Sequence, residues 1–306
     1  MLMRSLRVGS RKSELALIQS RSVIASLGGE AELVLIQTQG DRVTDRPLNQ
    51  IGGAGLFIKE IESALLDERI DLAVHSMKDM PSEIPEGLAL AATTKRLDAR
   101  DALVSRGAHS LDSLPKGATI ATGSLRRRSQ LLAARPDLHI EDLRGNVPTR
   151  LSKFDASSWE AIVLAGAGLV RLGLEARIRS YFSVDEMIPA VGQGALALET
   201  RADDDALRDR LRELNHPASE SAVLAERAFL GRLQGGCQVP MGAYGEIEAG
   251  ELRLRGFVGA VDGSRYEKRE RRGPVAGAQE LGLALAEDML AAGALEIIQE
   301  RSEVDE

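Results

Sequence analysis

The segment VHSMKDMP places a lysine and an aspartate directly after a run of apolar residues. Lys78 and Asp79 follow a predicted buried strand, and Pro81 stops regular structure behind them. A carboxylate at such a strand end can act as an acid or a base, because burial raises its pKa and adjacent cations lower it. The same spacing also fits an aspartate that caps the next turn beside a solvated lysine, and the pattern alone leaves both interpretations open.

Arginines stand beside small or hydroxyl residues at four other predicted strand ends. A helix N-terminus there presents free N–H groups and a positive dipole end, which favour anions, and arginine pairs with carboxylates or phosphates. A solvated basic turn is the competing interpretation for any single case, but four on one scaffold predict a cleft for several such anions. The residues are Arg11 and Ser13, then Ser124, Arg126 and Arg127, then Arg144 and Arg150, and finally Arg171.

Other classes of ligand have less support in the sequence. The chain has no G-x-x-x-x-G-K-[ST] motif and no G-x-G-x-x-G after its first strand, so a nucleotide is not favoured. Nucleic acid is disfavoured by a net charge of -7 and an aromatic content of 3%. His109, His139 and His216 lack the spacing of metal ligands, so we predict no metal site.

Cys237 is the only cysteine of the chain, which excludes an internal disulfide and a multi-cysteine zinc site. It follows two glycines past the end of a predicted helix, whereas a core cysteine more often lies inside an apolar element. An accessible loop cysteine can serve as a nucleophile or as an attachment point. A structural or incidental cysteine is the alternative, and the local sequence does not decide between them.

The elements that must position these side chains alternate between strand and helix as far as residue 200. Short apolar strands that end in small residues are typical of buried α/β sheets, and two such sets predict two α/β domains. Ligands of such sheets bind beyond the carboxyl ends of the strands. The last third instead contains a helix near 218–233, a hairpin across 251–271 and a helix near 276–293, which predict a small α+β domain.

The composition of the 306 residues is that of an ordinary globular protein, with 43% hydrophobic and 28% charged residues. Arginine outnumbers lysine by 32 to 7, and codon usage in a G+C-rich genome can account for that total but not for its placement. No apolar run approaches the ~18 residues of a membrane span, and no signal-peptide pattern opens the chain. We therefore expect a cytoplasmic protein that binds no membrane.

Nine ordered segments between residues 5 and 245 resemble the porphobilinogen deaminase (hydroxymethylbilane synthase) family. The resemblance implies two α/β domains built like type II periplasmic binding proteins and a small C-terminal α+β domain. The expected bounds are 1–95 with 195–213, then 100–190, and then 217–306. The segments are RKSELAL, QTQGDR, GLFIKEIE, DLAVHSMKDMP, TGSLRRRSQL, LRGNVPTRL, AGLVRLGL, PAVGQGAL and GGCQVPMGAY.

The resemblance also implies an activity, that of a transferase in tetrapyrrole and haem biosynthesis. Such an enzyme joins four porphobilinogen molecules head to tail, releases ammonia at each step, and frees linear hydroxymethylbilane by hydrolysis. The chain would grow on a dipyrromethane cofactor, attached through a thioether to Cys237. Porphobilinogen would be its small-molecule partner, and the family suggests a monomer.

Roles for individual residues follow from the same resemblance. Asp79 resembles the catalytic carboxylate, which would stabilise the cation left by loss of ammonia and manage protons on the pyrrole nitrogens and the reacting ring carbon. Each pyrrole carries an acetate and a propionate, so a growing chain needs many cations around it. The resemblance assigns cofactor binding to Lys78, Ser124, Arg126, Arg127 and Arg144, and substrate binding to Arg11, Ser13, Arg150 and Arg171.

One loop departs from the family pattern. The family often carries lysines in the loop before GLF, but the loop 42–56 has Gln50 and Ala54 at those places. Lys59 remains, inside the following predicted helix. We therefore assign no substrate contact to this loop.

A cytoplasmic anion-binding protein without chemistry is an alternative of a different class, since the same two-domain cleft would serve it. Asp79 and Cys237 separate the two hypotheses, because a pure binding protein needs neither residue. Nucleic-acid binding through the arginines is a third and weaker alternative, since few aromatic residues are available for base stacking.

Overall fold

The computed structural model describes residues 5–28, 30–42, 58–233 and 239–299. They form two five-stranded sheets and one three-stranded sheet, with helices packed against them. The predicted fold class is confirmed, since two α/β units precede a small unit of strands and helices. The domain bounds given above stay predictions.

Ten strands among the described residues build the two larger sheets. They are β1 Leu6–Ser10, β2 Ala31–Leu35, β3 Leu72–Ser76, β4 Leu88–Thr93, β5 Asp101–Ser105, β6 Thr119–Ala121, β7 His139–Glu141, β8 Ala161–Ala165, β9 Ser180–Tyr181 and β10 Leu196–Arg201. The first sheet has the order β2-β1-β3-β10-β4 and the second β7-β6-β8-β5-β9. In each, the first three strands of that order run parallel and the fourth is antiparallel to both neighbours.

In each sheet, the antiparallel strand is the first strand that the chain forms after it arrives from the other sheet. β5 follows the segment 94–100, which leaves the first sheet, and β10 follows the segment 182–195, which returns to it. We call these segments the first and second crossover. They are hydrogen-bonded to each other, from Leu97 N to Gly194 O at 3.2 Å. The two α/β units are therefore joined by a paired connection.

Helices alternate with these strands, as the sequence pattern predicts. They are α1 Glu14–Leu27, α2 Gln39–Arg42, α3 Lys59–Leu66, α4 Leu125–Ala134, α5 Val147–Ala156, α6 Gly166–Arg171 and α7 Asp205–Leu211. Polar side chains begin several of them: Asn146 Oδ1, for example, accepts from Thr149 N at 2.9 Å and satisfies a free donor of α5. α1 ends at Gly28, whose φ of 65° suits glycine.

The last unit is a three-stranded antiparallel sheet covered by helices. Its elements are α8 Pro217–Arg232, β11 Met241–Glu248, β12 Glu251–Gly259, β13 Tyr266–Pro274, α9 Ala278–Ala291 and α10 Ala294–Gln299. The predicted hairpin is the β12–β13 pair, and β11 adds a strand that the sequence analysis missed. The predicted face of α9 is confirmed, because Leu281, Leu285 and Met289 are all buried in the core around Phe229.

A buried carboxylate at the start of β5 ties the crossovers to the second sheet. Asp101 Oδ1 accepts from Arg127 Nη2 at 2.7 Å, and Arg126 Nη2 lies 2.8 Å from Oδ2. Gln193 Nε2, in the second crossover, donates to the same Oδ1 at 2.9 Å and to Ala99 O in the first at 2.6 Å. Burial alone would raise the pKa of Asp101, but the two arginines hold it well below its usual range. The carboxylate therefore stays charged inside the fold.

A second buried carboxylate, Glu226 of α8, joins the last unit to the same crossovers. Its Oε2 accepts from Gly192 N at 2.6 Å, and its Oε1 accepts from Gly245 N at 2.8 Å and pairs with Arg96 at 2.8 Å. Gly192 has a φ of 70°, and a Cβ there would lie 2.3 Å from Met77 Cγ, so the position requires glycine. The last unit is thus anchored beside the turn that begins at Met77.

Replacing Asp101 with asparagine should lower the free energy of unfolding by about 3–5 kcal/mol, because two buried guanidinium groups lose their counter-charge. Equilibrium unfolding in denaturant measures the change. Asp155→Asn is the matched control: its pair with Arg177 is more exposed, with side-chain exposures of 55% and 34%, and such pairs contribute ~0–1 kcal/mol. Equal losses in the two variants would contradict the stabilising role of Asp101.

Candidate active site

Two adjoining cavities lie at the end of β3: residues of the first α/β unit line one, and residues of both α/β units line the other. Three predicted site residues line the first cavity, Arg11, Ser13 and Asp79, and four line the second, Lys78, Arg127, Arg150 and Arg171. Leu15, Gln19 and Ser76 line both, so the two cavities form one cleft. Both α/β units contribute to it through strand ends and helix starts, which is where the sequence predicts a ligand.

Asp79 lies on the short 3-10 turn Met77–Asp79, directly after β3. Met77 and Met80 are 1% and 6% exposed, and they hold the turn against the protein interior. The backbone N–H of Met77 donates to Ala195 O at 3.0 Å, which fixes the turn to the end of the second crossover. These anchors keep the carboxylate of Asp79 at the wall of the first cavity.

Lys78, on the same turn, lines the second cavity and is only partly exposed. Burial lowers the pKa of Lys78 from 10.5 to about 8, and the positive charges of Arg127 and Arg150 add to this effect. Asp79 and Asp101 act in the opposite direction. These five charged groups, drawn from both α/β units, therefore lie close enough to influence one another.

Arg150 and Arg171 bring desolvated cations to the second cavity from the second α/β unit. Burial lowers the pKa of each to about 10, and for Arg150 the charge of Arg127 contributes as well. Arg150 Nε donates to Gly145 O at 2.8 Å, and Arg171 Nη2 donates to Gly194 O at 2.8 Å. Within the described ranges neither has a carboxylate at salt-bridge distance, so each keeps N–H donors for an external anion.

Arg126 and Arg127 differ from those two arginines, because Asp101 already pairs with both. Arg127 also donates to Val163 O at 3.0 Å, and it still lines the second cavity. Arg126 is 5% exposed, donates to Ile188 O at 2.6 Å, and is not among the residues that line the two cavities. A direct bond from Arg126 to the cofactor stays a prediction.

Three other predicted residues have local structural roles. Ser13 caps α1 through its Oγ and also lines the first cavity. Ser124 caps α4, accepting from Arg127 N at 3.5 Å. Arg144 precedes α5, and its charge adds to burial in lowering the pKa of Arg150. Ligand contacts of Ser124 and Arg144 stay predictions.

Gln19 is a cleft residue that the sequence analysis missed. It lies on α1, is 3% exposed, and donates from Nε2 to Ser76 Oγ at 2.9 Å. This bond joins α1 to the end of β3, three residues before Asp79. The sequence feature that could have identified Gln19 is its spacing from Leu15. Residues four apart share one helix face, and both of these side chains line the cleft.

Two predicted features lie outside the described residues. Cys237 is one, and the loop 42–56 beyond Arg42 is the other. The described chain ends α8 before the cysteine and begins β11 after it, so both flanking elements belong to the last unit. The attachment of a cofactor to Cys237 stays a prediction.

The described geometry defines a class of protein, in which two α/β units enclose a cleft with several cations and one carboxylate at a strand end. Such a donor set suits a ligand with several carboxylates, because each lysine or arginine can pair with one of them. In the ranges that the structure covers, no group of His, Cys, Asp and Glu could hold a metal ion. Within the same ranges, none of the helices combines the length and apolar character needed to cross a bilayer.

Comparison with protein families narrows this class. Residues 6–209 match the model of the porphobilinogen deaminase, dipyromethane cofactor binding domain, and residues 221–291 match that of the porphobilinogen deaminase, C-terminal domain. The chain therefore belongs to the porphobilinogen deaminase family. It is a transferase-type enzyme that polymerises porphobilinogen onto a dipyrromethane cofactor in tetrapyrrole synthesis. The resemblance seen in the sequence is thereby confirmed.

Several solved structures are similar to part of the chain. A putative methionine-binding lipoprotein from Bacillus subtilis has 15% identity and a TM-score of 0.42, over 69% of this chain and 90% of that one. A periplasmic substrate-binding protein of an ABC transporter from Coxiella burnetii has 15% identity and a TM-score of 0.42, over 71% and 94%. A nutrient binding protein from Burkholderia cenocepacia, bound to methionine, has 15% identity and a TM-score of 0.42, over 68% and 90%.

Lys78 should lose its proton near pH 8 in protein without bound carboxylates, so the cleft should lose one positive charge as the pH rises through that value. NMR of lysine-labelled protein can follow this, because the chain has only 7 lysines. Lys78→Arg should remove the titrating resonance and thereby assign it. A midpoint for Lys78 close to the ordinary lysine value of about 10.4 would contradict the desolvation of this side chain.

Proposed function

We propose that this chain makes hydroxymethylbilane: it joins four porphobilinogen units head to tail on a dipyrromethane primer, releases ammonia at each step, and hydrolyses the finished chain free. The observation that carries the proposal is the meeting of Asp79 with Lys78, Arg150 and Arg171 in one cleft of a chain that both family models match. One chain supplies all of these groups, which supports a monomer. We further propose that it works in the cytoplasm, without nucleic acid or membrane.

The residues of the cleft fit the chemistry of dipyrromethane. Its acetate and propionate groups need several cations, and Lys78, Arg150 and Arg171 are partly desolvated cations that line one cavity. A carboxylate that binds there meets charges with few competing waters, so each ion pair is stronger than it would be at the surface. When bound, dipyrromethane supplies the free pyrrole carbon to which the first porphobilinogen is joined.

A thioether from Cys237 is the proposed attachment. The chain has no other cysteine, and the elements that flank it belong to the unit that Glu226 anchors beside the Asp79 turn. A thioether resists hydrolysis, so it suits a tether that must survive every cycle. The product is freed instead by hydrolysis of the bond between the primer and the new chain.

Asp79 is the proposed catalytic carboxylate. Loss of ammonia from porphobilinogen leaves a cation, and a carboxylate at the cavity wall stabilises that developing charge. Asp79 can also accept hydrogen bonds from pyrrole N–H groups and so orient the rings. The arginines cannot replace it in this role, because they repel a cation while they bind the acidic side groups.

The remaining cations are proposed to bind acidic groups at different points of the cleft. Arg11 and Ser13 line the first cavity beside Asp79, where the incoming porphobilinogen would bind. Arg150 and Arg171 line the second cavity and would hold further substrate carboxylates. Cofactor carboxylates would meet Lys78, Ser124, Arg126, Arg127 and Arg144.

Intact-mass measurement tests the attachment. The native protein should carry the extra mass of two linked pyrroles, and Cys237→Ser should lack it, because the serine hydroxyl does not form the stable thioether. Ser63→Ala, which alters an exposed serine on α3, is a matched control that should keep the extra mass. A fully folded native protein with no added mass would contradict the proposal.

Asp79→Asn should retain the fold and the cofactor but lose ~10²–10⁴-fold in kcat, because the amide carries no negative charge for the developing cation. Release of ammonia and formation of tetrapyrrole measure kcat. Glu83→Gln removes an exposed carboxylate a few residues away and should behave like the wild type. Near-normal turnover of Asp79→Asn would remove Asp79 from its proposed role.

A further inference from the structure

A buried cluster of titratable side chains lies beside the cleft: His75, Glu199 and Glu62. His75 is on β3, is 5% exposed, and lines the first cavity together with Asp79. Glu199 on β10 and Glu62 on α3 are 0% and 8% exposed. The mechanism above uses none of the three, although buried ionisable groups at a cleft are candidates for function.

The strand register fixes how His75 and Glu199 meet. In the β3–β10 pair His75 lies opposite Ala197, and Glu199 lies opposite Ala73, so the two polar side chains share one face of the sheet. His75 Nε2 is 3.0 Å from Glu199 Oε2. We assign the ring hydrogen to Nε2, because that nitrogen can then donate to the Glu199 carboxylate. Nδ1 is therefore the ring nitrogen that can take up a proton.

Both carboxylates and cations lie around His75. Burial raises the pKa of Glu62, the charge of Glu199 adds to this effect, and His75 and Lys59 oppose it. Arg227 of α8 faces Glu199. Oε1 of each glutamate is buried and has no hydrogen-bond partner in the described part of the chain. The cluster thus has carboxylate oxygens whose negative charge would stabilise an imidazolium.

We propose that His75 is the base that removes the proton from the reacting pyrrole ring carbon, an inference that rests on the proposed function. In each cycle the C–N bond of porphobilinogen breaks, and ammonia leaves with the electron pair. A C–C bond then forms between the methylene carbon and a pyrrole ring carbon. That ring carbon loses one proton, and the C–H electron pair returns to the ring. Nδ1 of His75 takes the proton and passes it to solvent through the cleft.

A base separate from Asp79 has a physical advantage. The negative charge of Asp79 is needed beside the cation, and a carboxylate that accepted the ring proton would lose that charge. His75 lines the same cavity and has Glu199 behind it, so it can take the proton while Asp79 keeps its charge. The two tasks are thereby divided between two side chains.

His75→Gln tests the assignment, because glutamine can still donate a hydrogen bond to Glu199 but cannot take up a proton. We expect kcat to fall by ~10²–10⁴-fold while KM changes little. Porphobilinogen deuterated at its free α-carbon should show a larger isotope effect on kcat in the variant than in the wild type, because loss of that proton becomes rate-limiting. Wild-type kcat, or a reduced kcat with an unchanged isotope effect, would overturn the proposal.

His109→Gln is the matched control, because His109 is exposed and outside the cleft, and it should keep the wild-type kcat and isotope effect. If neither it nor the wild type releases ammonia and forms tetrapyrrole, the proposed function fails. If both do and His75→Gln matches them, only the role of His75 fails.

A further readout depends neither on turnover nor on the folding of a variant. ¹⁵N NMR of the holoenzyme should show neutral His75 as the Nε2–H tautomer, which leaves the lone pair of Nδ1 for the incoming proton. An Nδ1–H tautomer would contradict the assignment.

Discussion

A cleft lined by cations brings like charges together in a region of low dielectric. The negative charge of the buried Asp101 carboxylate offsets part of their repulsion. It pairs with Arg126 and Arg127 and also accepts a hydrogen bond from Gln193, so one side chain joins the cleft wall to the second crossover. Lys78, Arg150 and Arg171 have no such internal partner within the described ranges, and burial lowers their pKa values. A chain with a net charge of -7 can thus present a basic cleft.

The parts of the site that follow from strand ends could be predicted from local sequence. Lys78 and Asp79 come directly after an apolar strand of the first sheet, and Lys78 meets Arg150 and Arg171 of the second α/β unit because the strand ends of both sheets face the cleft. The partners that fix these residues could not be predicted in this way. Gln193 reaches Asp101 across 92 residues of chain, and such long-range contacts leave no periodic signal in the sequence.

The fold shows the same division between local and tertiary information. Alternating apolar runs and helix caps were enough to predict the α/β class and the face of α9. β11 was missed because Gly242 and Gly245 argue against a strand on propensity alone. Packing requires glycine at 242, where a Cβ would lie 2.6 Å from Pro189 O, and it leaves little room at Gly245, where a Cβ would lie 3.2 Å from Ala222. Tertiary contact therefore outweighs propensity there.

We propose that the cations of the cleft hold the acidic groups of a pyrrole chain while Asp79 faces its ring nitrogens. Diffraction from crystals of the natively purified protein tests this most directly. The predicted result is density continuous with Sγ of Cys237, with carboxylates at hydrogen-bond distance, about 2.7–3.2 Å, from Lys78 and the cleft arginines. A pyrrole chain whose carboxylates face solvent, away from these cations, would contradict it.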